Sequence, residues 1–150
     1  MLKKLKTLWD GTADKKTGNR KHDISLAVTA VMVEIMHIDG KLDDAEHDTI
    51  ILAIEKRFGL STSEVHALVE EAKQATANAN DLHQFTSQII KHYKTEERIE
   101  IIKELWQVAM ADGHIDPHEE NLIRRTAELI GVYQREYVQA KIDAREETSS

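Results

Sequence analysis

An eight-residue pattern occurs twice in the chain, at positions that are offset by 73 residues. The pattern reads D-G-x-[LI]-D-x-x-E, and its two copies span residues 39–46 and 112–119. Each copy follows one apolar segment with helical spacing and precedes another. A pattern that recurs in the same helical context indicates that two parts of the chain fold into similar units. The chain is therefore expected to adopt a duplicated helical architecture.

Apolar residues recur at three- and four-residue intervals along most of the chain, which is the period of an α-helix. Residues 23–38 and 95–111 are the most apolar of these segments and are predicted to pack centrally. One Pro and six Gly among 150 residues argue against a β-sandwich or a barrel with many tight turns. The predicted fold class is all-α, and no segment has a strand pattern that competes with this prediction.

The simplest arrangement is two three-helix units joined by a connecting helix. Residues 23–147 are predicted to form this helical domain, and residues 148–150 a disordered tail. Residues 1–22 are predicted to form a short amphipathic helix followed by a linker. The apolar face of that helix carries four large side chains, Leu2, Leu5, Leu8 and Trp9. Two helical turns bury too little surface for stable anchoring in lipid, so docking on the domain or on a partner is preferred to membrane contact.

Each repeated turn contains residues that are suited to begin the helix that follows it. Asp43 and Asp116 are predicted N-caps, with Glu46 and Glu119 at the third helical position. This is the spacing of a capping box, in which both side chains accept hydrogen bonds from free backbone N–H groups. Pro117 is well placed at the first helical position, where a backbone N–H is not needed. Capping therefore explains four of the acidic residues.

Capping does not explain the first Asp of each turn. Asp39 and Asp112 precede Gly40 and Gly113, which are predicted to end the apolar helices. A negative charge near a helix C-terminus is disfavoured by the helix dipole. The turns are also strongly acidic, because residues 39–48 and 112–120 together carry a net charge of −8 in a chain of net charge −7. Such a concentration of carboxylates needs water, a cation or a basic partner to screen it.

Three interpretations of the acidic turns stay open: capping with solvation alone, a divalent-cation site, and recognition of a basic protein partner. The chain contains no Cys, so a metal would need oxygen or imidazole ligands, and carboxylate-rich turns suit Ca²⁺, Mg²⁺ or Mn²⁺. The spacing differs from that of an EF-hand, whose loop needs D-x-[DN]-x-[DN]-G and a Glu at its twelfth position. One turn alone would bind a cation weakly, so a shared site is the stronger form of the hypothesis.

The repeated acidic turn after an apolar helix resembles the tellurite-resistance protein B family, the TerB-like domains. The resemblance covers about residues 23–145. It implies an all-helical domain of bacterial stress-response and membrane-associated systems that binds divalent metal through its repeated acidic positions. Carried onto this sequence, the implied ligands are Asp39, Asp43, Glu46, Asp112, Asp116 and Glu119.

Several function classes are disfavoured by the sequence. The acidic balance argues against general binding to nucleic acid. The chain lacks a P-loop, G-x-S-x-G, G-x-G-x-x-G and H-E-x-x-H, so we expect no enzyme, and a carboxylate-dependent hydrolase is a secondary alternative. No signal-peptide pattern or spanning segment is present, which predicts the cytoplasm or a peripheral position at the inner face of the membrane. The expected function is a non-catalytic interaction module with a protein partner.

Overall fold

The computed structural model describes residues 21–36, 44–77, 82–111 and 115–149, except for the side chains of residues 45, 46, 148 and 149. Helices account for most of these ranges, and none of the described residues is in a β-strand. The prediction of an all-α fold is confirmed. The helices are α1 (21–36), α2 (Asp44–Phe58), α3 (Thr62–Ala77), α4 (His83–His92), α5 (Thr95–Ala109), α6 (Pro117–Leu129) and α7 (Gln134–Ser149).

Two helices extend beyond the predicted boundaries of the helical domain. The helix predicted to begin at residue 23 already includes Lys21 and His22, which the sequence placed in the linker. The His22 side chain reaches Glu71 of α3 at 3.0 Å, so this turn of α1 has a tertiary contact that sequence periodicity does not reveal. At the other end, α7 continues through Thr148 and Ser149, beyond the predicted boundary of the tail at residue 147. The predicted N-terminal amphipathic helix lies outside the described residues.

The two most apolar helices lie in the core, as predicted. Residues 27–33 of α1 are all buried, and so is the α5 face that includes Ile102, Leu105 and Trp106. α5 packs against α7, α6 and α2. Ser25 and Thr29 are buried in α1, and each hydroxyl has a partner because it donates to the carbonyl four residues earlier, at 2.7 Å. These central helices form the scaffold from which both acidic turns emerge.

Glycines end two helices in left-handed conformations. Gly59 follows α2 with a φ of 64°, and Gly131 follows α6 with a φ of 74°. After α6, Val132 N–H donates to Ala127 O at 2.8 Å and Gly131 N–H to Glu128 O at 3.2 Å, which together form a Schellman motif. This motif turns the chain sharply from α6 into α7.

In the described part of the chain, three helices precede α4 and three follow it. The arrangement as two repeated three-helix units remains a prediction, and so does the similarity of the two units in three dimensions. None of the helices in the described ranges has the length and apolarity needed to span a bilayer.

Candidate functional site

The second acidic turn leads into α6 with the geometry expected of a helix cap. Asp116 is the N-cap residue, and its carboxylate accepts the backbone N–H of His118 at 2.7 Å. Pro117 occupies the first helical position, and Asp116 O accepts the first backbone hydrogen bond of the helix, from Glu120 N–H at 3.0 Å. The negative charge of Asp116 also interacts favourably with the positive end of the helix dipole. The predicted capping role of Asp116 is confirmed.

Glu119 differs from the other glutamates at the third position of helices in this chain. Glu64, Glu97 and Glu136 occupy that position in α3, α5 and α7, and each accepts the backbone N–H of its N-cap residue at 3.0–3.2 Å. All three remain exposed or half-exposed. Glu119 occupies the same position in α6 but is buried, with only 6% of its surface exposed. Capping alone does not require this burial, because the other three glutamates cap their helices at the surface.

A cationic side chain lies beside the turn. Lys141 of α7 reaches Glu120 with its Nζ 3.3 Å from the carboxylate oxygen, and the same ammonium lies 5.0 Å from the ring centroid of Trp106. The Glu120 carboxylate therefore has a protein counter-ion, although Glu120 was part of the acidic excess in the sequence. Asp116 and Glu119 match the repeated motif, as does Asp112, which lies outside the described residues.

Four of the six predicted metal ligands have no described side chain. Asp39, Asp43 and Asp112 lie outside the described residues, and so does the side chain of Glu46. α2 begins at Asp44, and the predicted capping role of Asp43 lies outside the described residues. Among the side chains that are described, no group of three His, Asp or Glu is close enough to hold a metal ion. The convergence of the two turns therefore remains a prediction.

A charged cluster joins α5 and α7 on another face. Lys103 Nζ lies 2.9 Å from both Glu100 and Glu147, and Gln107 Nε2 donates to Glu147 at 2.7 Å. Hydrogen bonding to Glu100 is the main reason that the pKa of Lys103 is raised. The opposite charges of these groups neutralise one another, and the contacts with Glu147 connect α5 to α7.

Sequence reasoning missed a cavity between α6 and α7 with a volume of about 730 Å³. Arg124, Arg125 and Tyr137 contribute to its lining. Adjacent arginines on a surface helix are a common pattern and do not by themselves indicate a binding site. The convergence of these residues depends on the turn at Gly131, which sets the approach of α7 to α6.

Comparisons with known proteins were consistent with the resemblance seen in the motif. A family model described as tellurite resistance protein TerB matches residues 25–142. A crystal structure of a protein of unknown function from Porphyromonas gingivalis is similar in fold, with a TM-score of 0.61 and 20% sequence identity, and the match covers 83% of this chain and 95% of that one. Among curated proteins, no sequence matches this chain.

Proposed function

Because the chain belongs to the TerB family, whose model matches most of its length, we propose that it is a non-catalytic binding module whose two acidic turns hold a divalent cation. The name of the family associates it with tellurite resistance, and we propose a stress-response role on that basis. The cation would link the two turns, and the module would present the loaded face to a protein partner.

The burial of Glu119 is the observation that carries this proposal. Three other glutamates in equivalent helical positions accept the same backbone hydrogen bond at the surface, whereas Glu119 is removed from water. Burial of a carboxylate is costly, and a site with little solvent strengthens the attraction between a carboxylate and a cation. Glu119 therefore has the environment of a ligand in addition to the position of a capping residue.

The composition of the turns suits hard divalent cations. The candidate ligands are carboxylates, which Ca²⁺, Mg²⁺ and Mn²⁺ prefer and which need no Cys. Neither turn alone supplies the six or more oxygen ligands that Ca²⁺ takes, unless water completes the shell. We therefore propose one shared site, with Asp39, Asp43 and Glu46 from the first turn and Asp112, Asp116 and Glu119 from the second.

Calorimetric titration of the full chain with MgCl₂, CaCl₂ and MnCl₂ tests this function directly. We expect saturable binding of at least one of these cations with a stoichiometry of one per chain, since both turns share the site. Two equivalent cations per chain would show that each turn binds independently. Absence of binding for all three would exclude the cation site.

An acidic protein-interaction surface without metal is the second candidate. Asp116 is exposed at the turn, and Asp44 and Asp48 are exposed on the first turns of α2. Exposed carboxylates at helix N-termini attract basic segments of a partner, with an association rate that falls as salt is raised. In this case a partner would bind equally well in the presence of a chelator, whereas the cation hypothesis predicts that the chelator weakens the complex.

A further inference from the structure

The cavity between α6 and α7 is lined by none of the predicted metal ligands whose side chains are described. Its volume of about 730 Å³ is in the range of small-molecule sites. Its lining comes from α6, from the turn that follows it and from the beginning of α7, and includes Asn121, Arg124, Arg125, Glu128, Gln134 and Tyr137. Neither Asp116 nor Glu119 lines the cavity, although Asn121 lies only two residues after Glu119, so the cavity is a neighbour of the proposed cation site with a different set of residues.

Tyr137 forms a fixed wall of the cavity. Only 8% of its surface is exposed, and its ring packs against the buried Trp106 with 5.3 Å between the ring centroids. The charges of Glu120, Arg124 and Glu128 act on the Tyr137 hydroxyl, and the last two residues also line the cavity. Within the described ranges this hydroxyl has no hydrogen bond and is not fully buried, so a molecule in the cavity can reach it.

The charged part of the lining favours an anion. Arg124 and Arg125 supply two guanidinium groups, against one carboxylate from Glu128. Arg124 donates one hydrogen bond to Asn121, which leaves most of its five donors available. Guanidinium groups bind carboxylate and phosphate through paired hydrogen bonds. The beginning of α7, at Gln134, adds the positive end of a helix dipole to the same cavity.

The remaining lining is apolar. An apolar surface lies beside the charged groups and is formed by Ala127, Val132 and the ring of Tyr137. Inorganic phosphate has no apolar part that could contact this surface. We propose that this cavity binds a small organic oxyanion, with its phosphate or carboxylate group at Arg124 and Arg125 and its apolar part against Val132 and Tyr137. The Tyr137 hydroxyl donates a hydrogen bond to the bound molecule.

The contact between Trp106 and Tyr137 provides a spectroscopic test in the full chain. The chain has two tryptophans, so a Trp9→Phe background leaves Trp106 as the only source of Trp fluorescence. We expect phenyl phosphate or benzoate to bind saturably and change this fluorescence, and the tighter of the two identifies phosphate or carboxylate as the recognised group. Inorganic phosphate should bind more weakly than phenyl phosphate, because it cannot use the apolar wall.

Variants in the same background separate recognition from general charge effects. Arg124→Gln with Arg125→Gln should weaken binding roughly tenfold or more, and Tyr137→Phe about fivefold, as expected for charge-assisted and neutral hydrogen bonds. Arg145→Gln removes a charge from an exposed position of α7 outside the cavity and should leave binding unchanged. Absence of saturable binding of both organic probes would overturn the proposal. Equal weakening by Arg145→Gln and by the double variant would also overturn it, since attraction would then depend on net charge alone.

Discussion

Arg57 and Glu104 form an ion pair between helices α2 and α5, with Arg57 Nε 2.5 Å from the Glu104 carboxylate. Both side chains are largely buried, with 12% and 18% of their surfaces exposed. Burial, the largest single influence, would lower the pKa of Arg57, but the hydrogen bond and charge of Glu104 together with Tyr93 more than offset it and raise that pKa. Burial also raises the pKa of the Glu104 carboxyl, against the opposing effect of Arg57. The guanidinium lies 5.7 Å from the ring centroid of Tyr93. This pair joins one helix of each predicted unit.

Removal of one partner of the Arg57–Glu104 pair should lower the free energy of unfolding more than removal of both. Glu104→Gln leaves a charged guanidinium in a site with little water and should lower the free energy of unfolding by about 2 kcal/mol. Arg57→Met combined with Glu104→Leu should recover most of that loss, because no buried charge then lacks a partner. Urea denaturation of the single and double variants measures the coupling. As a control, Lys73→Met breaks the more exposed Lys73–Glu70 pair and should change stability by less than about 0.5 kcal/mol.

The N-cap of α6 should contribute to stability without any metal. Asp116→Ala removes the acceptor of the His118 N–H and should cost about 1 kcal/mol in a chelator-treated sample. Asp116→Asn keeps an acceptor oxygen and should cost much less. Thermal or chemical unfolding of both variants provides the comparison. Equal losses would mean that the charge of Asp116, rather than its hydrogen bond, determines its contribution.

The glycine after α6 should resist substitution because of its backbone conformation. Gly131 has a φ of 74°, and a side chain in the left-handed region costs roughly 1–2 kcal/mol. A Cβ at this position would lie 3.4 Å from Arg98 Nη1, an ordinary contact, so the expected loss in Gly131→Ala is conformational. Gly131→Asn should be less damaging, since Asn tolerates this region better. Chemical denaturation that found Ala and Asn equally harmful would point to a steric cause instead.

The fold was predictable from sequence where local rules decide the structure. The period of apolar residues predicted that segments 23–38 and 95–111 are the central helices, and the structure buries α1 and α5 in the core. Asp116 and Pro117 marked the start of α6. Each of these features depends on neighbours within a few residues, which a sequence displays directly.

The tertiary features of the candidate sites were not predictable in this way. Glu119 has the same local pattern as Glu136, and only the packing around α6 makes one buried and the other not. Arg57 and Glu104 are 47 residues apart, and nothing in either helix identifies its partner. The lining of the Arg124 cavity likewise depends on how α7 turns back after Gly131. These relationships follow from helix packing, which sequence periodicity does not specify.

Tyr137 should make stability fall at alkaline pH. Burial raises the pKa of its hydroxyl to about 12. The protonated form is favoured in the folded state, so this stabilisation is complete below the unfolded pKa of about 10 and is lost as the pH rises from there through 12. Tyr137→Phe cannot ionise and should lose less stability over that range. Denaturation at several alkaline pH values, with tyrosinate absorbance to follow ionisation, measures the difference. If the free energy of unfolding fell equally with pH in the parent and in Tyr137→Phe, the loss of stability would not come from ionisation of Tyr137.

The cation site is tested most directly by a matched pair of variants, Glu119→Gln and Glu136→Gln. Gln can still accept a hydrogen bond at the third position of a helix, so both substitutions keep an acceptor oxygen and remove one negative charge. A cation that binds the folded state at a hundred times its dissociation constant adds about 2.7 kcal/mol of stability. We expect Mg²⁺, Ca²⁺ or Mn²⁺ to raise the unfolding temperature of the parent and of Glu136→Gln alike, and to have little effect on Glu119→Gln.

Asp39→Asn and Asp112→Asn extend this measurement to the residues that capping does not explain. Each should lose most of the cation response while the metal-free protein keeps its stability, because the substitution removes a charge that opposes the helix dipole. Differential scanning calorimetry with and without each cation, on the parent and these four variants, therefore tests the central claim. The account predicts a cation-dependent rise in the parent and in Glu136→Gln that is absent from Glu119→Gln, Asp39→Asn and Asp112→Asn. An unfolding temperature of the parent that none of the three cations changes, or an equal rise in Glu119→Gln and Glu136→Gln, would contradict it.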